Sequence, residues 1–400
     1  MSTNKIPKIR FKGFAEEWEN INFDTVFTGI SNNTLSRDNL NYQKGIGKNV
    51  HYGDVLIKFN DILDIEKETV PFISDDKIVD KLKSSKLNNG DIIFADAAED
   101  EMVGKCVEIN NIKDNLVFSG LHTIAVRPKF EFAKKYLGYY LNSKSYHNQF
   151  LKLMQGTKVL SISKTAIKTT NLNYPPSKTE QTKIGSFFEN IDQLVNQHQT
   201  QHKKLTALKK AMLSKLFPKQ GKKIPEIRFK GFNEEWEVKK LNEVTTYNSS
   251  SLSVGNAKET GKYPLYDANE IIGYIDDNIQ SSKYISIIKD GSGVGRIRLL
   301  PKKTSFIGTM GAIIASNVDI YFIYNYLKNI DLTKHVTGAT IPHIYFKDYG
   351  EDEYLIPKDK KEQEKIGNYF QNLDSLIANH SQQLEKLEVL KKACLAKMFV

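Results

Sequence analysis

The chain has 400 residues and a net charge of +10 at pH 7, with a pI near 9.1. This length leaves room for two domains of ordinary size, and the basic balance favours a polyanionic partner. No apolar run reaches the roughly 18 residues of a membrane span, and the N-terminus lacks the apolar core of a signal peptide. Its two cysteines, Cys106 and Cys394, argue against a disulfide framework. We expect a cytoplasmic protein that does not contact a membrane.

Near-identical segments open the two halves of the chain. Residues 6–19 read IPKIRFKGFAEEWE and residues 224–237 read IPEIRFKGFNEEWE, differing at two of fourteen positions. Their aromatic side chains are most simply packing anchors, namely Phe11, Phe14, Trp18, Phe229, Phe232 and Trp236. Their basic side chains are candidates for phosphate contacts or for solvated surface charge, namely Arg10, Lys12, Arg228 and Lys230.

Short strand-like runs broken by Gly, Asn and Asp follow the first segment. Candidate strands begin at Asp54, Gly90, Gly104 and His122, and residues 131–154 have the apolar spacing of a helix. A glycine turn with small hydroxyls and lysines comes next, at residues 155–164. These features predict a compact α/β domain.

The next stretch, residues 180–218, returns at residues 362–400 with about half of its positions identical. Both copies are rich in good helix formers, and a 3.5-residue apolar repeat over about four heptads predicts a coiled-coil seam. The expected seam residues are Ile184, Ile191, Leu194, His198, Leu205 and Leu208 in the first copy, and Ile366, Leu373, Leu376, His380, Leu387 and Leu390 in the second.

A polar layer interrupts each expected seam near its middle, at His198 and His380. An antiparallel pair would bring these layers close together, so that the polar groups satisfy one another. The sequence therefore favours antiparallel pairing of the two helices. The alternative is that each helix packs only on its own domain.

The second variable region is 36 residues shorter than the first but has a similar plan. Candidate strands begin at Lys262, Ile271, Tyr284 and Arg296, and a helix begins at Ile320. The glycine-rich loop that starts at Asp290 runs into a strand-like segment. It therefore predicts a hairpin, since a nucleotide cradle needs a helix N-terminus next. The segment at Gly338 takes the place of the glycine turn of the first domain.

We predict an α+β fold with two α/β domains in tandem, each followed by a long helix, and the helices pairing as an antiparallel coiled coil. The predicted boundaries are 1–178 for the first domain, 179–217 for the first helix, 218–225 for the linker, 226–360 for the second domain and 361–400 for the second helix.

No residue pattern predicts a catalytic or metal site. Asn173-Tyr-Pro-Pro has the wrong order for the Asn-Pro-Pro-aromatic loop of adenine methyltransferases. The acidic residues Asp96, Glu99, Asp100 and Glu101 lack a second carboxylate set and fit a solvated turn better than a nuclease centre. The eight histidines show no metal-ligand spacing.

Several features of the sequence together make the chain resemble the DNA-specificity subunit of type I restriction–modification systems. The resemblance rests first on the repeated opening segments and long helices that flank the two variable regions. It also rests on the Gly-Asp-Ile-Ile run at Gly90, on the loop at Asp290, and on the Pro-x-x-x-Glu-Gln-x-x-Ile start of the first long helix at Pro176. It covers essentially the whole chain. In the second copy Lys358 stands where the proline is expected, a departure that concerns only the start of the helix.

The resemblance implies that each variable region is a target-recognition domain for one half of a split double-stranded DNA sequence, and that the paired helices fix the distance between the halves. It also implies two methyltransferase subunits that carry S-adenosylmethionine, and two restriction subunits that use ATP and Mg²⁺ as motor and nuclease. The chain itself would then be non-catalytic and would hold no cofactor or metal.

Polar and basic side chains of loops are the expected DNA contacts, because base edges are read by such groups in the major groove. The candidates are Lys158, Ser161, Ser163 and Lys164 in the first domain, and Ser292, Arg296, Thr337, Thr340 and His343 in the second. Two other classes of protein agree less well with the sequence. A solitary nuclease or methyltransferase requires a cofactor motif that the sequence lacks, and a protein-only scaffold does not explain the basic charge or the two unlike domains.

Overall fold

The computed structural model describes residues 5–219, 221–277 and 279–400. Residues 1–4 of the predicted first domain lie outside the described residues, as do Gln220 of the predicted linker and Asn278 of the predicted second domain. The chain divides into two compact units, Met1–Gln197 with Gln383–Val400, and His198–Gln382. Each unit therefore contains parts of both long helices.

The first unit is built around a five-stranded sheet and a four-stranded sheet. In spatial order the five strands are Phe27–Ile30, Thr123–Pro128, Ile92–Ala95, Cys106–Asn110 and Ile62–Asp64. The four are Leu116–Ser119, Gly47–Val50, Phe72–Ile73 and Leu40–Asn41. Two strand pairs complete the sheets, Glu19–Asn22 with Asn171–Tyr174 and Ala97–Ala98 with Leu160–Ser161.

Short helices connect these strands. The α-helices are Phe23–Val26, Tyr52–Ile57, Asp76–Leu82, Tyr136–Leu141, Lys144–His147 and Lys164–Ile167. The 3₁₀ turns are Arg37–Asn39, Lys83–Ser85 and Phe150–Lys152.

The second unit has a four-stranded sheet in the order Thr245–Ser249, Met310–Ala315, Tyr284–Ile288 and Ile297–Leu300. A three-stranded sheet has the order Ile271–Ile275, Tyr263–Tyr266 and Ser305–Phe306, and Glu237–Lys240 pairs with Glu353–Ile356. The short helices are Leu241–Val244, Ile320–Lys328 and Phe346–Tyr349, with 3₁₀ turns at Val254–Asn256 and Thr333–His335.

The long helices are Lys178–Lys215 and Lys360–Lys397, and their antiparallel pairing is seen within each unit. In the first unit Phe188 stacks on Phe399 with 5.7 Å between ring centroids. In the second unit Phe370 stacks on Phe217 at 6.0 Å. The polar layers also meet, since His198 Nδ1 and His380 Nδ1 lie 2.9 Å apart. The predicted antiparallel pair is therefore confirmed.

Part of the expected seam is displaced by one residue. One face of each long helix is shielded from solvent at a spacing of three or four residues. In the first helix this face consists of Ile184, Phe188, Ile191, Val195, His198, His202, Leu205, Lys209, Met212 and Leu216. In the second helix it consists of Ile366, Phe370, Leu373, Ile377, His380, Leu384, Leu387, Lys391, Cys394 and Met398. By contrast, four leucines expected in the seam are 43–47% exposed, namely Leu194, Leu208, Leu376 and Leu390. These four assignments are corrected.

Lysine side chains explain the displacement at Leu208 and Leu390. Lys209 forms an ion pair with Asp374, and Lys391 Nζ lies 2.7 Å from Asp192 and 2.8 Å from Asp61. A lysine buries its aliphatic stem while its ammonium group reaches a partner, so it can occupy a seam position that periodicity assigns to leucine. The apolar pattern alone favours the neighbouring leucine and gives the wrong phase.

The start of each half is fixed to a long helix by a buried ion pair. Arg10 donates to both carboxylate oxygens of Glu180, at 2.6 and 2.8 Å. Arg228 does the same to Glu362, at 2.7 and 2.8 Å. Both arginines are thereby removed from the candidate phosphate contacts and from solvated charge. Lys12 and Lys230 remain exposed.

The glutamine of the Glu-Gln motif makes a matching connection to the domain. Gln181 accepts a hydrogen bond from Ala133 N and donates one to Pro175 O, both at 2.9 Å. Gln363 repeats the arrangement with Asp319 N at 2.9 Å and Pro357 O at 2.8 Å. The motif thus joins each long helix to the preceding domain.

The aromatic residues of the repeat pack as predicted. Trp18 and Trp236 are each 1% exposed. Trp18 meets Phe399 edge-on at 6.3 Å, and Trp236 meets Phe217 at the same distance. Each tryptophan therefore packs against a phenylalanine two residues beyond the long helix that follows the other domain.

Two local predictions are wrong. The run at Asp54 is not a strand but the helix Tyr52–Ile57, which His51 caps by accepting a hydrogen bond from Gly53 N. Residues 131–154 do not form one helix. Lys135 adopts a left-handed backbone (φ +69°) before Tyr136–Leu141, and Ser143 then starts a separate helix at Lys144.

Candidate nucleic-acid interface

The glycine turns of the two domains form structurally equivalent hairpins. In the first domain Gln155 and Ser161 exchange backbone hydrogen bonds at 2.9 and 2.8 Å, and in the second domain Thr337 and His343 do so at the same distances. Both hairpins therefore span seven residues, and they are separated by 182 positions, the same offset as the long helices. We refer to them as the first hairpin (155–161) and the second hairpin (337–343).

Glycine is required at the same position of each hairpin. Gly156 has φ +114°, and a Cβ there would lie 2.0 Å from Val159 O. Gly338 has φ +87°, and a Cβ would lie 2.4 Å from Ile341 O. A side chain at either place would collide with the opposite arm.

The tips of both hairpins are exposed and carry unlike side chains. The first tip presents Lys158 and Val159, and Val159 is 55% exposed. The second tip presents Thr340 and Ile341, and Ile341 is 63% exposed. Both tips therefore lie on the surface of their domains.

The three remaining first-domain candidates are all exposed, and each also makes a hydrogen bond within the protein. Ser161 is exposed beside the strand Ala97–Ala98. Ser163 Oγ accepts a hydrogen bond from Ala166 N at 3.1 Å, so this hydroxyl caps the helix that follows. Lys164 Nζ donates to Asn32 Oδ1 at 2.9 Å but stays exposed.

In the second domain the structure brings the two candidate loops together. Gly291 N donates to Pro342 O at 2.8 Å, and Asp290 forms a β-bridge with His343. Ser292 is exposed in this region. Thr337 and His343 form the base of the second hairpin, and the His343 ring lies 5.0 Å from that of Tyr345.

Arg296 is less available for a DNA contact than the sequence suggests, because its guanidinium group has partners within the protein. Its Nη2 donates to Ala268 O at 2.8 Å and to Asn269 Oδ1 at 2.7 Å. It follows the loop at Asp290, and the predicted hairpin there is confirmed, since Tyr284–Ile288 pairs antiparallel with Ile297–Leu300. Arg296 therefore fixes the Ala268–Asn269 turn while its side chain remains on the surface.

The residue pair Asp96 and His122 was not among the sequence candidates. His122 Nδ1 lies 3.2 Å from Asp96 Oδ1, and the imidazole contacts Tyr52 edge-on at 5.2 Å. Burial raises the pKa of Asp96, and the charges of His122 and Lys164 act in the opposite direction. These two residues are 26 positions apart in sequence and meet only because their strands pair, so no sequence motif could reveal them.

The acidic residues near Asp96 form a turn, as the sequence favoured. Asp100 Oδ1 accepts a hydrogen bond from Met102 N at 2.9 Å. The nearby Lys105 Nζ donates to the backbone carbonyls of Leu56 and Phe59, at 2.8 and 2.9 Å, and not to these carboxylates. Among the described residues, no group of three or more His, Cys, Asp or Glu side chains is arranged to hold a metal ion.

Comparison with known proteins places this architecture in a family. The model of the type I restriction modification DNA specificity domain matches residues 5–207 and 233–389. The chain belongs to the type I restriction–modification DNA specificity family. It is a specificity subunit, and DNA recognition is the role of its family.

Two specificity subunits of Methanocaldococcus jannaschii are similar in sequence. The first, assigned provisionally to type I restriction enzyme MjaX, is 27% identical over 326 residues, which are 76% of each chain. The second, of type I restriction enzyme MjaVIII, is 29% identical over 187 residues, which are 42% of each chain.

The fold is also that of a solved specificity subunit. The crystal structure of the type I restriction–modification S subunit from M. genitalium superposes with a TM-score of 0.68 over 99% of each chain, at 18% sequence identity. The predicted fold class is thereby confirmed. Within the described part of the chain, none of the helices combines the length and apolar character needed to cross a membrane.

Proposed function

We propose that this specificity subunit reads a split, asymmetric DNA target, with one half-site contacted by each hairpin. The observation that carries the proposal is the equivalence of the hairpins. Both have the same span, the same backbone closure and the same required glycine, yet their tips carry different side chains. A shared scaffold with unlike tips is the arrangement expected of two readers with different targets.

The candidate contacts supply the two kinds of interaction that DNA recognition needs. Lysines such as Lys158 attract phosphate, and the net charge of +10 supports a sequence-independent, salt-dependent grip. Hydroxyl groups and imidazoles read base edges, and apolar side chains pack on thymine methyl groups. Thr340 and His343 provide hydrogen-bonding groups in the second domain, and Val159 and Ile341 provide apolar contacts.

The long helices are proposed to set the distance between the half-sites. Each has 38 residues, which corresponds to about 57 Å at about 1.5 Å per residue. One turn of B-DNA measures about 34–36 Å. Helices of this length can therefore span more than one turn, which leaves an unread spacer between the bases contacted by the hairpins.

Two methyltransferase subunits are proposed to bind equivalent surfaces of the two helices. The exposed leucines support this, because Leu194 corresponds to Leu376 and Leu208 to Leu390 at the common offset of 182. A surface that occurs twice in one chain suits a partner that binds twice. Two restriction subunits complete the proposed complex.

Catalysis is assigned to those partners. S-adenosylmethionine would be bound by the methyltransferase subunits, and ATP and Mg²⁺ by the restriction subunits. This chain would select the DNA and position the partners without holding a cofactor, in the cytoplasm where host DNA is accessible.

Selection of DNA by the purified complex tests the proposal. The chain is co-expressed with its cognate methyltransferase subunit, and duplexes bound from a random pool are sequenced. We expect two conserved half-sites of different sequence separated by a gap of fixed length. We expect Lys158→Ala to weaken binding without changing the gap.

Two outcomes would contradict the proposal. If the complex forms but enriches no sequence, the chain is not a DNA reader, and a scaffold that binds protein only is favoured. If the enriched sequence is contiguous or perfectly symmetric, the chain reads DNA without the proposed division between unlike domains.

A further inference from the structure

Beside each hairpin, two antiparallel strands end at a matching pair of residues. In the first domain the strand pair is in register at Ala95 and Thr123, and Asp96 N then donates to His122 O at 3.1 Å. In the second domain the register is Ile288 with Met310, and Lys289 N donates to Thr309 O at 2.9 Å. Asp96 therefore corresponds to Lys289, and His122 corresponds to Thr309.

The same backbone contact joins each pair to its hairpin. The residue that follows the first hairpin, Ile162, donates through its N–H to Asp96 O at 2.9 Å. The residue that follows the second hairpin, Ile344, donates to Lys289 O at 2.9 Å. Any DNA that touches a hairpin is consequently close to the matching pair.

A cavity in the first domain shows this proximity directly. Its volume is about 460 Å³, and its lining includes His122, Val159 of the first hairpin, the apolar Ile57 and the acidic Glu99 and Asp100. Ile57 is 90% exposed, which is unusual for a large apolar side chain. The surface around His122 is thus continuous with the hairpin tip.

The His122 side chain is held in place but remains accessible. It is 53% exposed, and Asp96 holds Nδ1 while Tyr52 contacts the ring. Its backbone has φ +53°, a conformation that non-glycine residues rarely adopt and that the surrounding structure must maintain. In the described parts of the chain Nε2 has no hydrogen-bond partner, so it is available to a ligand.

The equivalent place in the second domain has different chemistry. Thr309 is exposed. Lys289 Nζ lies 3.6 Å from Asp290 Oδ2, and the Lys289 side chain is 27% exposed. A carboxylate with an imidazole in one domain is thus replaced by an ammonium group with a hydroxyl in the other.

We propose that Asp96 with His122, and Lys289 with Thr309, are base-specificity residues for the first and second half-sites. This inference rests on the proposed function, in which each domain reads one half of a DNA target. It adds two positions per domain that lie outside the hairpins and that differ in chemistry at the same place in the fold.

The side chains match different base edges. Because Asp96 accepts from His122 Nδ1–H, Nε2 of the neutral imidazole can accept from the amino group of adenine or cytosine, and a carboxylate can accept from the cytosine amino group. An ammonium group suits guanine O6 and N7, and the threonine methyl packs on the thymine methyl. Equivalent positions with unlike groups would make the two half-sites differ while the backbone stays the same.

Exchange of the two chemistries tests this inference. One variant carries Asp96→Lys and His122→Thr, and the other carries Lys289→Asp and Thr309→His. Each is purified in complex with the methyltransferase subunit, and bound duplexes from a random pool are sequenced. We expect the first exchange to alter base preference in one half-site only, and the second exchange to alter the other half-site only.

The size of the effect follows from the strength of a base contact. A well-formed base contact contributes roughly 5- to 150-fold discrimination, so a change of that order is expected at one or two base positions. Lys81→Thr, on an exposed face of the helix Asp76–Leu82, is the control and should leave both half-sites unchanged.

Milder variants keep the test decisive if an exchange prevents folding. His122→Asn suits the left-handed backbone, since asparagine adopts it readily, and Thr309→Ser retains the hydroxyl while it removes the methyl group. Unchanged base preference in the folded variants of both pairs would overturn the inference and leave the proposed function intact. If the wild-type complex enriches no split sequence, the proposed function itself fails.

Discussion

Arg10 and Arg228 secure the beginning of each half against a long helix. Their partners Glu180 and Glu362 are each 1% exposed, so removal of either arginine leaves a buried carboxylate without a counter-charge. We expect Arg10→Ala to lower the free energy of unfolding by about 3–5 kcal/mol. Urea denaturation followed by tryptophan fluorescence measures this free energy, because Trp18 is buried in the core of the first unit.

An exposed pair in the same segment is the matched control. Lys5 Nζ lies 3.6 Å from Glu17, and both side chains are largely exposed. Lys5→Ala should therefore change the free energy of unfolding by about 0–1 kcal/mol. Equal effects of Arg10→Ala and Lys5→Ala would show that the buried pair contributes no more than surface charge.

Glu108 makes the first unit sensitive to pH. It is 4% exposed, and burial raises its pKa to about 7, although Gly138 N donates to it at 2.9 Å. The folded state therefore binds this proton more tightly than the unfolded state, whose pKa is near the ordinary 4.5. The stabilising contribution is complete below about pH 4.5 and is lost as the pH rises to about 7.

Glu108→Gln removes this titration. We expect the free energy of unfolding of the variant, relative to wild type, to increase between about pH 4.5 and 7 and then to level off. Urea denaturation at pH values of about 5, 6, 7 and 8 measures the difference. A difference that is constant across this range would contradict the raised pKa.

Each domain core includes a phenylalanine that follows the end of the other domain's long helix. Phe399 lies in the core of the first unit with Trp18, and Phe217 lies in the core of the second unit with Trp236. Phe399→Ala should destabilise the first unit by about 3–5 kcal/mol, since it removes a buried aromatic ring. Phe217→Ala should do the same to the second unit.

Amide hydrogen exchange distinguishes the two units. We expect Phe399→Ala to increase exchange in the strand Ile92–Ala95, which is far away in sequence, and to leave Tyr284–Ile288 protected. Phe217→Ala should give the reverse. Loss of protection confined to the mutated helix end would contradict this crossed packing.

The exposed leucines of the long helices are expected to bind the methyltransferase subunits. Leu194→Ser combined with Leu376→Ser should lower the number of bound copies, because apolar contact area is lost from both equivalent surfaces. Native mass spectrometry counts the copies. Val389→Ser is the control, since its counterpart in the first helix is Ala207 and it does not belong to the repeated surface.

The stability of the subunit is the second readout for these variants. Because Leu194 and Leu376 are 44% and 47% exposed, each replacement should lower the free energy of unfolding by about 1 kcal/mol, which leaves the subunit folded. Two bound copies in a double variant that stays folded would show that the methyltransferase subunits bind elsewhere.

Sequence patterns predicted the elements better than their contacts. Strands such as Cys106–Asn110 and the helix Ile320–Lys328 follow from apolar runs and turn residues, and both are confirmed. The strand prediction at Asp54 failed because its hydrophobic residues suit a buried strand or a buried helix equally. In the structure they form a helix that His51 caps.

The phase of the coiled coil shows a second limit of prediction from sequence periodicity. Leu208 and Lys209 are neighbours, and periodicity favours the leucine. The structure places Lys209 in the seam because Asp374 of the other helix pairs with it. That partner is 165 residues away in sequence, so no local pattern contains the information.

The internal repeat is the most informative feature of the sequence. The offset of 182 residues, visible in the long helices, also relates the two hairpins. The pairs Asp96–His122 and Lys289–Thr309 stayed hidden, because strand register is needed to recognise them as equivalent. Which side chains contact DNA stays a prediction.

The proposed role of the helices as a spacer can be tested by a change in their length. One extra heptad beside His198 and another beside His380 preserve the seam and add about 10 Å. We expect the gap between half-sites to lengthen by about three base pairs, at about 3.4 Å per base pair. Duplex selection should show unchanged half-site bases, and altered bases with an unchanged gap would contradict the spacer role.

We propose that this chain directs modification to a split DNA sequence. The most direct test maps N6-methyladenine across the genome of a host that expresses the cognate methyltransferase subunit, with and without this chain. We expect one split, asymmetric motif, methylated on both strands only when the chain is present. Methylation that is unchanged by the presence of the chain, or spread without a motif although the complex forms, would contradict the claim.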